Sequence, residues 1–153
     1  MCLLLLLVIP EILAAQSLQI SDSAVSRKET GSFLIRLETA PDTAPVSLQW
    51  EMSVPKEIEI RVNDVLSGSS AESAGKSITC MAVPEDHKAF RCRCILAGGA
   101  QPLKNGPVAI VRFRVSSRGR PGDTPIKIEK ALGVSKNLKQ IRFPEAEGKI
   151  TIR

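Results

Sequence analysis

The chain has 153 residues, of which 43% are hydrophobic and 24% are charged, and its formal net charge is +5 at pH 7. This length fits one domain, and this balance argues against a disordered chain. Charges of both signs are interspersed, with no run of five like charges and no Arg- or Lys-rich helix. The sequence therefore does not predict a nucleic-acid-binding protein.

The N-terminus has the character of a secretory signal peptide. Its first ten residues carry no charge and include an unbroken leucine run at 3–7, followed by the small residues Ala14 and Ala15. We therefore expect residues 1–16 to be a signal peptide, residues 17–153 to be the folded domain, and the protein to be secreted, extracellular or periplasmic. The apolar run is too short to span a bilayer, and no other segment is apolar enough, so no membrane span is expected in the mature chain.

Apolar and polar residues alternate with a period of two, which is the pattern of strands with one buried and one wet face. In chain order the apolar positions are Phe33, Ile35 and Leu37; Val46, Leu48, Trp50, Met52 and Val54; Ile58, Ile60 and Val62; Val111, Phe113 and Val115; Ile126 and Ile128; and Ile150 and Ile152. Turn residues separate these runs, and residues 65–75 are expected to form a short helical turn or a loop. About nine short strands are predicted, so the fold class is all-β, a two-sheet β-sandwich or jelly roll.

The cysteines agree with export. Residues 76–83 and 88–97 form the clearest hairpin, and residues opposite each other in an antiparallel pair share a face. Cys80 can therefore face either Cys92 or Cys94, and the register that decides between them is left open. An oxidising compartment favours one disulfide among Cys80, Cys92 and Cys94, and the third cysteine then stays a free thiol.

Residue patterns that support catalysis are lacking. His87 is the only histidine, and it is expected at an exposed hairpin tip with no apolar neighbours to form a pocket for a Ser-His-Asp site. Acidic residues that lie close together in the sequence are better interpreted as solvated charges than as the two carboxylates that a hydrolase holds across a cleft. We expect no enzyme activity, no cofactor and no zinc. The one metal alternative is a calcium site that draws on Asp42, Asp64 or Asp123.

Five stretches occur in a fixed order along the chain. They are Gly31 before a strand that ends near Thr39, VSLQWEM at 46–52, NGPVAIVRFRV at 105–115, PGDTPI at 121–126 and GKITI at 148–152. In this order they resemble a cohesin domain, a nine-stranded jelly roll related to some carbohydrate-binding modules. The resemblance covers nearly the whole expected mature chain. It implies a flat, non-catalytic protein-binding surface, of the kind that cohesins use for dockerin modules.

The hairpin cysteines depart from cellulosomal cohesins and resemble a disulfide-containing variant found in secreted bacterial proteins. In that variant the second cysteine is followed by two apolar residues, one more residue and a glycine. The stretch from Cys94 to Gly98 has this spacing. The resemblance therefore implies a Cys80–Cys94 disulfide in preference to Cys80–Cys92.

The resemblance also places the strands at 45–53, 76–83, 88–97 and 124–131 in one sheet. Their positions out of phase with the core would form its outer face, the expected partner-binding face: Gln49, Glu51, Thr79, Met81, Arg91, Arg93, Ile95, Lys127 and Glu129. Arg91, Arg93 and Ile95 are the expected anchors, because Arg is enriched at protein interfaces. The alternative is a solvated face with incidental charges, and in either case Arg93→Glu is expected to leave folding intact.

We therefore expect a secreted cohesin-like module that binds a dockerin-like or surface protein, and a carbohydrate-binding module is the alternative. Flat sugar-binding faces stack exposed aromatic rings on the sugar. This chain has no Tyr, one Trp and four Phe, and Trp50 and Phe33 fall in phase with core positions. The composition therefore favours a protein partner over a polysaccharide.

Overall fold

The computed structural model describes residues 16–84 and 89–153, so residues 1–15 of the expected signal peptide and His87 lie outside the described residues. Two β-sheets pack face to face through the alternating apolar positions that the sequence predicts. The strands are β1 Ser17–Ile20, β2 Ser23–Val25, β3 Thr30–Glu38, β4 Pro45–Pro55, β5 Ile58–Glu59, β6 Val65–Ser67, β7 Ser77–Ala82, β8 Ala89–Ala97, β9 Gly106–Val115, β10 Gly122–Ser135, β11 Gln140–Arg142 and β12 Ala146–Ile152.

The larger sheet has the order β2-β12-β10-β4-β8-β7, with β11 also paired to β10. The smaller sheet has the order β1-β3-β9-β5. Strand β6 also pairs with β9, closer to its N-terminal end than β5 does. Strand pairs are antiparallel except β2 with β12, which is parallel. The helix α1 spans Ser69–Ser73, and no helix in the described ranges is long and apolar enough to cross a bilayer.

The predicted two-sheet sandwich is confirmed, with twelve strands among the described residues where the sequence predicted about nine. The strands outside the predicted runs are short: β1, β2, β6 and β11. Residues 65–75, expected to form a helical turn or a loop, contain both β6 and the helical turn α1. The alternation through Ile58 and Val62 predicted one strand, but only Ile58–Glu59 pairs, and Val62–Asp64 forms a 3-10 turn. The Asp64 carboxylate accepts the backbone N–H of Arg61 at 2.9 Å, and this bond closes the turn between β5 and β6, both of which pair with β9.

The core lies between the sheets, and the side chains at its centre are fully buried. Trp50 from the larger sheet and Phe33 from the smaller are each 1% exposed, and Phe33 packs beside Phe113 with ring centroids 6.0 Å apart. Gly31 is required by this packing, because a Cβ there would lie 2.7 Å from the Phe113 ring. The prediction that Trp50 is a core residue is therefore confirmed.

A buried lysine holds the loop that follows β8. Lys76, at the start of the β7 hairpin, donates from Nζ to the carbonyl oxygens of Gly98 at 2.5 Å and Gly99 at 2.9 Å. Burial lowers the pKa of this ammonium, and its hydrogen bonds go to carbonyls because a buried cation must be satisfied locally. Lys76 thus has a structural role in joining α1 and β7 to the end of β8.

The hairpin of β7 and β8 sets the cysteine pairing. Cys80 lies directly opposite Cys94, and the two form a disulfide with a Cα–Cα distance of 4.1 Å, the pairing that the resemblance implied. Cys92 lies two residues away on the same face as a buried free thiol. Burial raises the pKa of Cys92 to about 11, so little reactive thiolate forms near neutral pH.

Replacing Trp50 with Ala should lower the free energy of unfolding by about 3–5 kcal/mol, because the missing indole leaves a cavity in a buried core. Urea denaturation followed by far-UV circular dichroism measures this loss. Leu138→Ala is the matched control, since Leu138 is 85% exposed and its truncation should change stability little. Equal stability of wild type and Trp50→Ala would contradict the core assignment.

The double variant Cys80→Ala, Cys94→Ala should lose roughly 3 kcal/mol, because the disulfide closes a short loop in the unfolded chain. Peptide mapping under non-reducing conditions should recover a Cys80–Cys94 peptide. Cys92 should react with iodoacetamide only after denaturation, since its thiol is buried and its pKa is raised. A Cys80–Cys92 peptide, or rapid alkylation of native Cys92, would contradict this assignment.

Candidate functional site

The outer face of the larger sheet brings together the nine predicted partner-binding residues. Strands β10, β4, β8 and β7 lie side by side, and their registers pair Gln49 with Ile95 and Glu51 with Arg93. Alternation along each strand then places the other predicted positions on the same face. The structure thus collects these residues on one surface, and whether a partner binds there stays a prediction.

Apolar side chains are exposed at one end of this face. Met81 on the edge strand β7 is 57% exposed and Ile95 on β8 is 39% exposed. Thr79 lies opposite Ile95, and Met81 lies opposite Arg93. Isolated exposed apolar residues are common. Met81 and Ile95, however, lie on neighbouring strands and form a small apolar patch beside charged residues.

A charged cluster occupies the centre of the face, around Glu51. Arg93 donates to Glu51 Oε1 from Nη2 at 2.5 Å and from Nε at 3.1 Å. Lys130 Nζ donates to Glu51 Oε2 at 3.0 Å, and Arg91 Nη2 lies 3.5 Å from that same oxygen. Arg91 also donates to Glu129 at 2.9 Å. We call these five residues the Glu51 cluster.

Glu51 is only 4% exposed, whereas Arg93 and Lys130 are 49% and 67% exposed. The hydrogen bonds from Arg93, and then those from Lys130, hold the pKa of the Glu51 carboxyl below its ordinary value, against the opposing effect of burial. The Glu51 carboxylate is thus buried, whereas the cationic groups of Arg93 and Lys130 are exposed to solvent. The surface that a partner meets at the centre of the sheet is therefore positive.

This arrangement corrects the expectation for Arg93→Glu. From the sequence, Glu51 and Arg93 were expected to be independent solvated charges. Arg93→Glu was therefore expected to leave folding intact. In the structure, a carboxylate at position 93 would face the buried carboxylate of Glu51. Loss of the partner of a buried charge is costly, so Arg93→Glu should destabilise the fold as well as change its surface.

The sequence reasoning missed Lys130. Between Glu129 and Leu132 the register of β10 against β4 shifts, with Lys130 and Ala131 both opposite Trp50. Lys130 adopts a left-handed conformation with φ 52°, and this bulge turns its side chain outward, while Ala131 is buried. The signal was present in the sequence, because the polar pair Glu129-Lys130 interrupts a strict alternation.

Two small depressions mark the middle of the face. One, of about 260 Å³, is lined by Gln49, Trp50, Glu51, Arg93, Lys130 and Leu132. The next, of about 160 Å³, is lined by Ser47, Leu48, Gln49, Ile95, Leu132, Gly133, Val134 and Gln140. Gln49 and Leu132 belong to both, so a charged depression borders an apolar one. A cleft of about 1080 Å³ lies elsewhere and is lined by none of the nine predicted residues.

The aromatic side chains of the described residues are mostly buried, and two of the three calcium candidates have protein partners. Trp50 and three of the four phenylalanines are buried, and Phe90 is half-buried against the core. The described residues hold no group of three or more His, Cys, Asp or Glu side chains close enough for a metal ion. Of the calcium candidates, Asp64 binds a backbone N–H and Asp123 pairs with Lys149 and Thr151.

Glu51→Gln should make the protein less stable at neutral pH and should flatten its response to acid. Because folding lowers the pKa of Glu51, the ionised form stabilises the fold above the ordinary glutamate pKa of about 4.3. That stabilisation is lost as the pH falls through the lower pKa of the folded state. Urea midpoints measured between neutral pH and acid should therefore converge for wild type and variant at low pH.

Glu59→Gln is the control for this measurement, since Glu59 is exposed on the smaller sheet and has no ion pair with a described residue. It should follow the wild-type curve. A constant difference between wild type and Glu51→Gln at every pH would contradict a specific role for the ionised carboxylate.

No family sequence model matches the chain, and no curated protein matches it in sequence. Solved structures do match. A type I cohesin of Clostridium thermocellum in the Coh-OlpA-Doc918 complex has a TM-score of 0.75 at 18% identity, covering 91% of this chain and 99% of that one. A non-cellulosomal cohesin from the archaeon Archaeoglobus fulgidus has a TM-score of 0.70 at 15% identity, covering 92% of each chain.

The sixth cohesin of scaffoldin B from Acetivibrio cellulolyticus, solved in complex with a Cel5 dockerin mutant, has a TM-score of 0.73 at 11% identity. It matches 91% of this chain and 99% of its own length. These identities are low, but the two-sheet architecture is common to nearly the full length of each match. The chain has the jelly-roll fold of cohesin domains.

Proposed function

We propose that this protein is a non-catalytic extracellular binding module of cohesin type, which attaches to another protein through the outer face of its larger sheet. The observation that supports this most is the composition of that face. It combines exposed apolar residues on β7 and β8 with displayed cations that cover a buried carboxylate. Arg and Met at a flat surface suit a protein partner.

The shape of the face supports binding over catalysis. Its depressions, of about 260 and 160 Å³, are smaller than the roughly 300–1,000 Å³ typical of small-molecule sites. The charged groups in them are bound to one another, and none has the geometry of a nucleophile held by a general base. A partner with a surface of its own fits this face better than a small substrate.

The class of partner is inferred from the fold. Two of the matching cohesins were solved with dockerins, Doc918 and Cel5, so a dockerin-like or surface protein is the proposed partner here. Secretion is supported by the apolar N-terminal segment, as expected of a signal peptide. The Cys80–Cys94 disulfide also suits an oxidising compartment.

Ile95→Asp should abolish capture of the partner, because it places a charge within the apolar part of the proposed interface. The measurement is an affinity pull-down of the purified protein against proteins secreted by the source cells, followed by titration of the captured partner. Leu138→Asp is the matched control, since it exchanges an exposed apolar residue outside the face. It should bind as the wild type does.

A polysaccharide array run beside the pull-down tests the alternative. Saturable binding to a polysaccharide, with no protein partner sensitive to Ile95→Asp, would overturn the proposal in favour of a carbohydrate-binding module. A captured protein whose affinity is unchanged by Ile95→Asp would also contradict it, because the binding site would then lie off this face.

A further inference from the structure

The Glu51 cluster contains two cations whose charge is only partly balanced. Arg93 and Lys130 both bind the single carboxylate of Glu51, and neither has another ion pair with a described residue. Because Glu51 is 4% exposed while Arg93 and Lys130 are 49% and 67% exposed, the excess positive charge lies at the surface. A second carboxylate would balance it.

The hydrogen-bonding capacity of these two side chains is also only partly used. A guanidinium has five N–H donors and an ammonium three. Arg93 donates from Nε and Nη2 to one oxygen of Glu51, and Lys130 donates once, to the other oxygen. Since Arg93 and Lys130 bind the two oxygens of the same carboxylate, they are neighbours on the face, and one further carboxylate is the group suited to accept from both.

The position of Lys130 is maintained against a backbone cost. A lysine with φ 52° lies in a region that non-glycine residues occupy infrequently, and the bulge interrupts the pairing of the two central strands. Such local strain persists where the surroundings require it and is common at binding sites. Without the bulge, residue 130 would point into the core, and the second cation would be absent from the face.

An apolar surface begins directly beside the cations. Leu132 lines the depression that contains Arg93 and Lys130, and it also lines the next one together with Ile95. A ligand that reaches the cations with a carboxylate therefore has apolar contacts available in the adjoining depression. An anionic polysaccharide would match only the charged half of this surface.

We propose that the protein partner of this face presents an Asp or Glu side chain to Arg93 and Lys130 and, next to it, an apolar side chain to Ile95 and Leu132. This inference rests on the proposed function and specifies the chemistry of the partner. The carboxylate accepts charge-assisted hydrogen bonds from both cations. The apolar neighbour excludes water from them, which strengthens those bonds.

The test is selection of binders from a phage-displayed library of random peptides, using wild type and a triple variant, Glu51→Gln, Arg93→Gln and Lys130→Asn. The triple variant removes the excess positive charge without leaving a buried carboxylate unpaired, and Asn tolerates the left-handed conformation at position 130. The matched control is Arg114→Gln, which makes the same change in net charge at an exposed position of the smaller sheet.

Wild type and Arg114→Gln should both select peptides with Asp or Glu next to an apolar residue. The affinity of such a peptide should fall by about tenfold or more for the triple variant, and the wild-type affinity should weaken with added salt. Thermal unfolding establishes that each variant is folded. Lys130→Asn alone leaves the Arg93–Glu51 pair intact, and it should show a smaller loss in the same direction if the triple variant does not fold.

The outcomes separate this inference from the proposed function. Selected peptides that lose binding to Ile95→Asp but show no acidic enrichment would overturn the carboxylate inference and leave the binding face in place. Peptides that bind Ile95→Asp as well as wild type would overturn both. Binding of polygalacturonate that depends on Arg93 and Lys130 but not on Ile95 would show an anionic-polymer site, and it would also overturn the inference.

Discussion

At its middle the strand β4 is buried on both of its sides, at Trp50 and Glu51, and this constraint organises the larger sheet. Trp50 fills the core at 1% exposure, while its neighbour Glu51 is 4% exposed on the outer face. An ionised carboxylate with so little access to water requires partners. Arg93 on β8 and Lys130 on β10 supply them, so the pairing of three strands is coupled to the neutralisation of one charge.

The same constraint determines what the molecule displays. Because the acidic member of the Glu51 cluster is covered, the centre of the sheet presents Arg93 and Lys130 to solvent. The apolar side chains of Ile95 and Leu132 continue the surface beside them. The face is thus chemically asymmetric, with the cations Arg93 and Lys130 beside the apolar side chains of Ile95 and Leu132. This asymmetry suits recognition of a macromolecular surface and not the turnover of a small substrate.

The edge strand β7 depends on covalent and polar links more than on burial. Most of its residues are exposed, so packing alone holds it weakly. The Cys80–Cys94 disulfide joins it to β8, and buried Lys76 joins its N-terminal end to the loop after β8. Met81, the most exposed apolar residue of the proposed binding face, is positioned by these links. An oxidising environment would therefore maintain this end of the face.

The sequence by itself determined the sandwich, because a period of two needs only neighbouring residues to divide core from surface. Phe33, Leu48, Trp50 and Ile128 lie in the core as that pattern predicted. The resemblance to cohesins added the strands of one sheet and the Cys80–Cys94 pairing. The core positions follow from neighbouring residues in the sequence, and the strands of one sheet and the disulfide follow from the order and spacing of short motifs.

The tertiary structure alone decided the chemistry of the face. The outward phase of Glu51 was predicted, but its burial was not, since burial depends on Arg93 and Lys130 from two other strands. Lys130 reaches Glu51 only through the bulge in β10, and the split of β5 from β6 follows from the turn at Asp64. Register shifts of this kind result from pairing between segments that are distant in the sequence. The sequence of one strand shows where the alternation of apolar and polar residues breaks. It does not show which residue of another strand is contacted at that break.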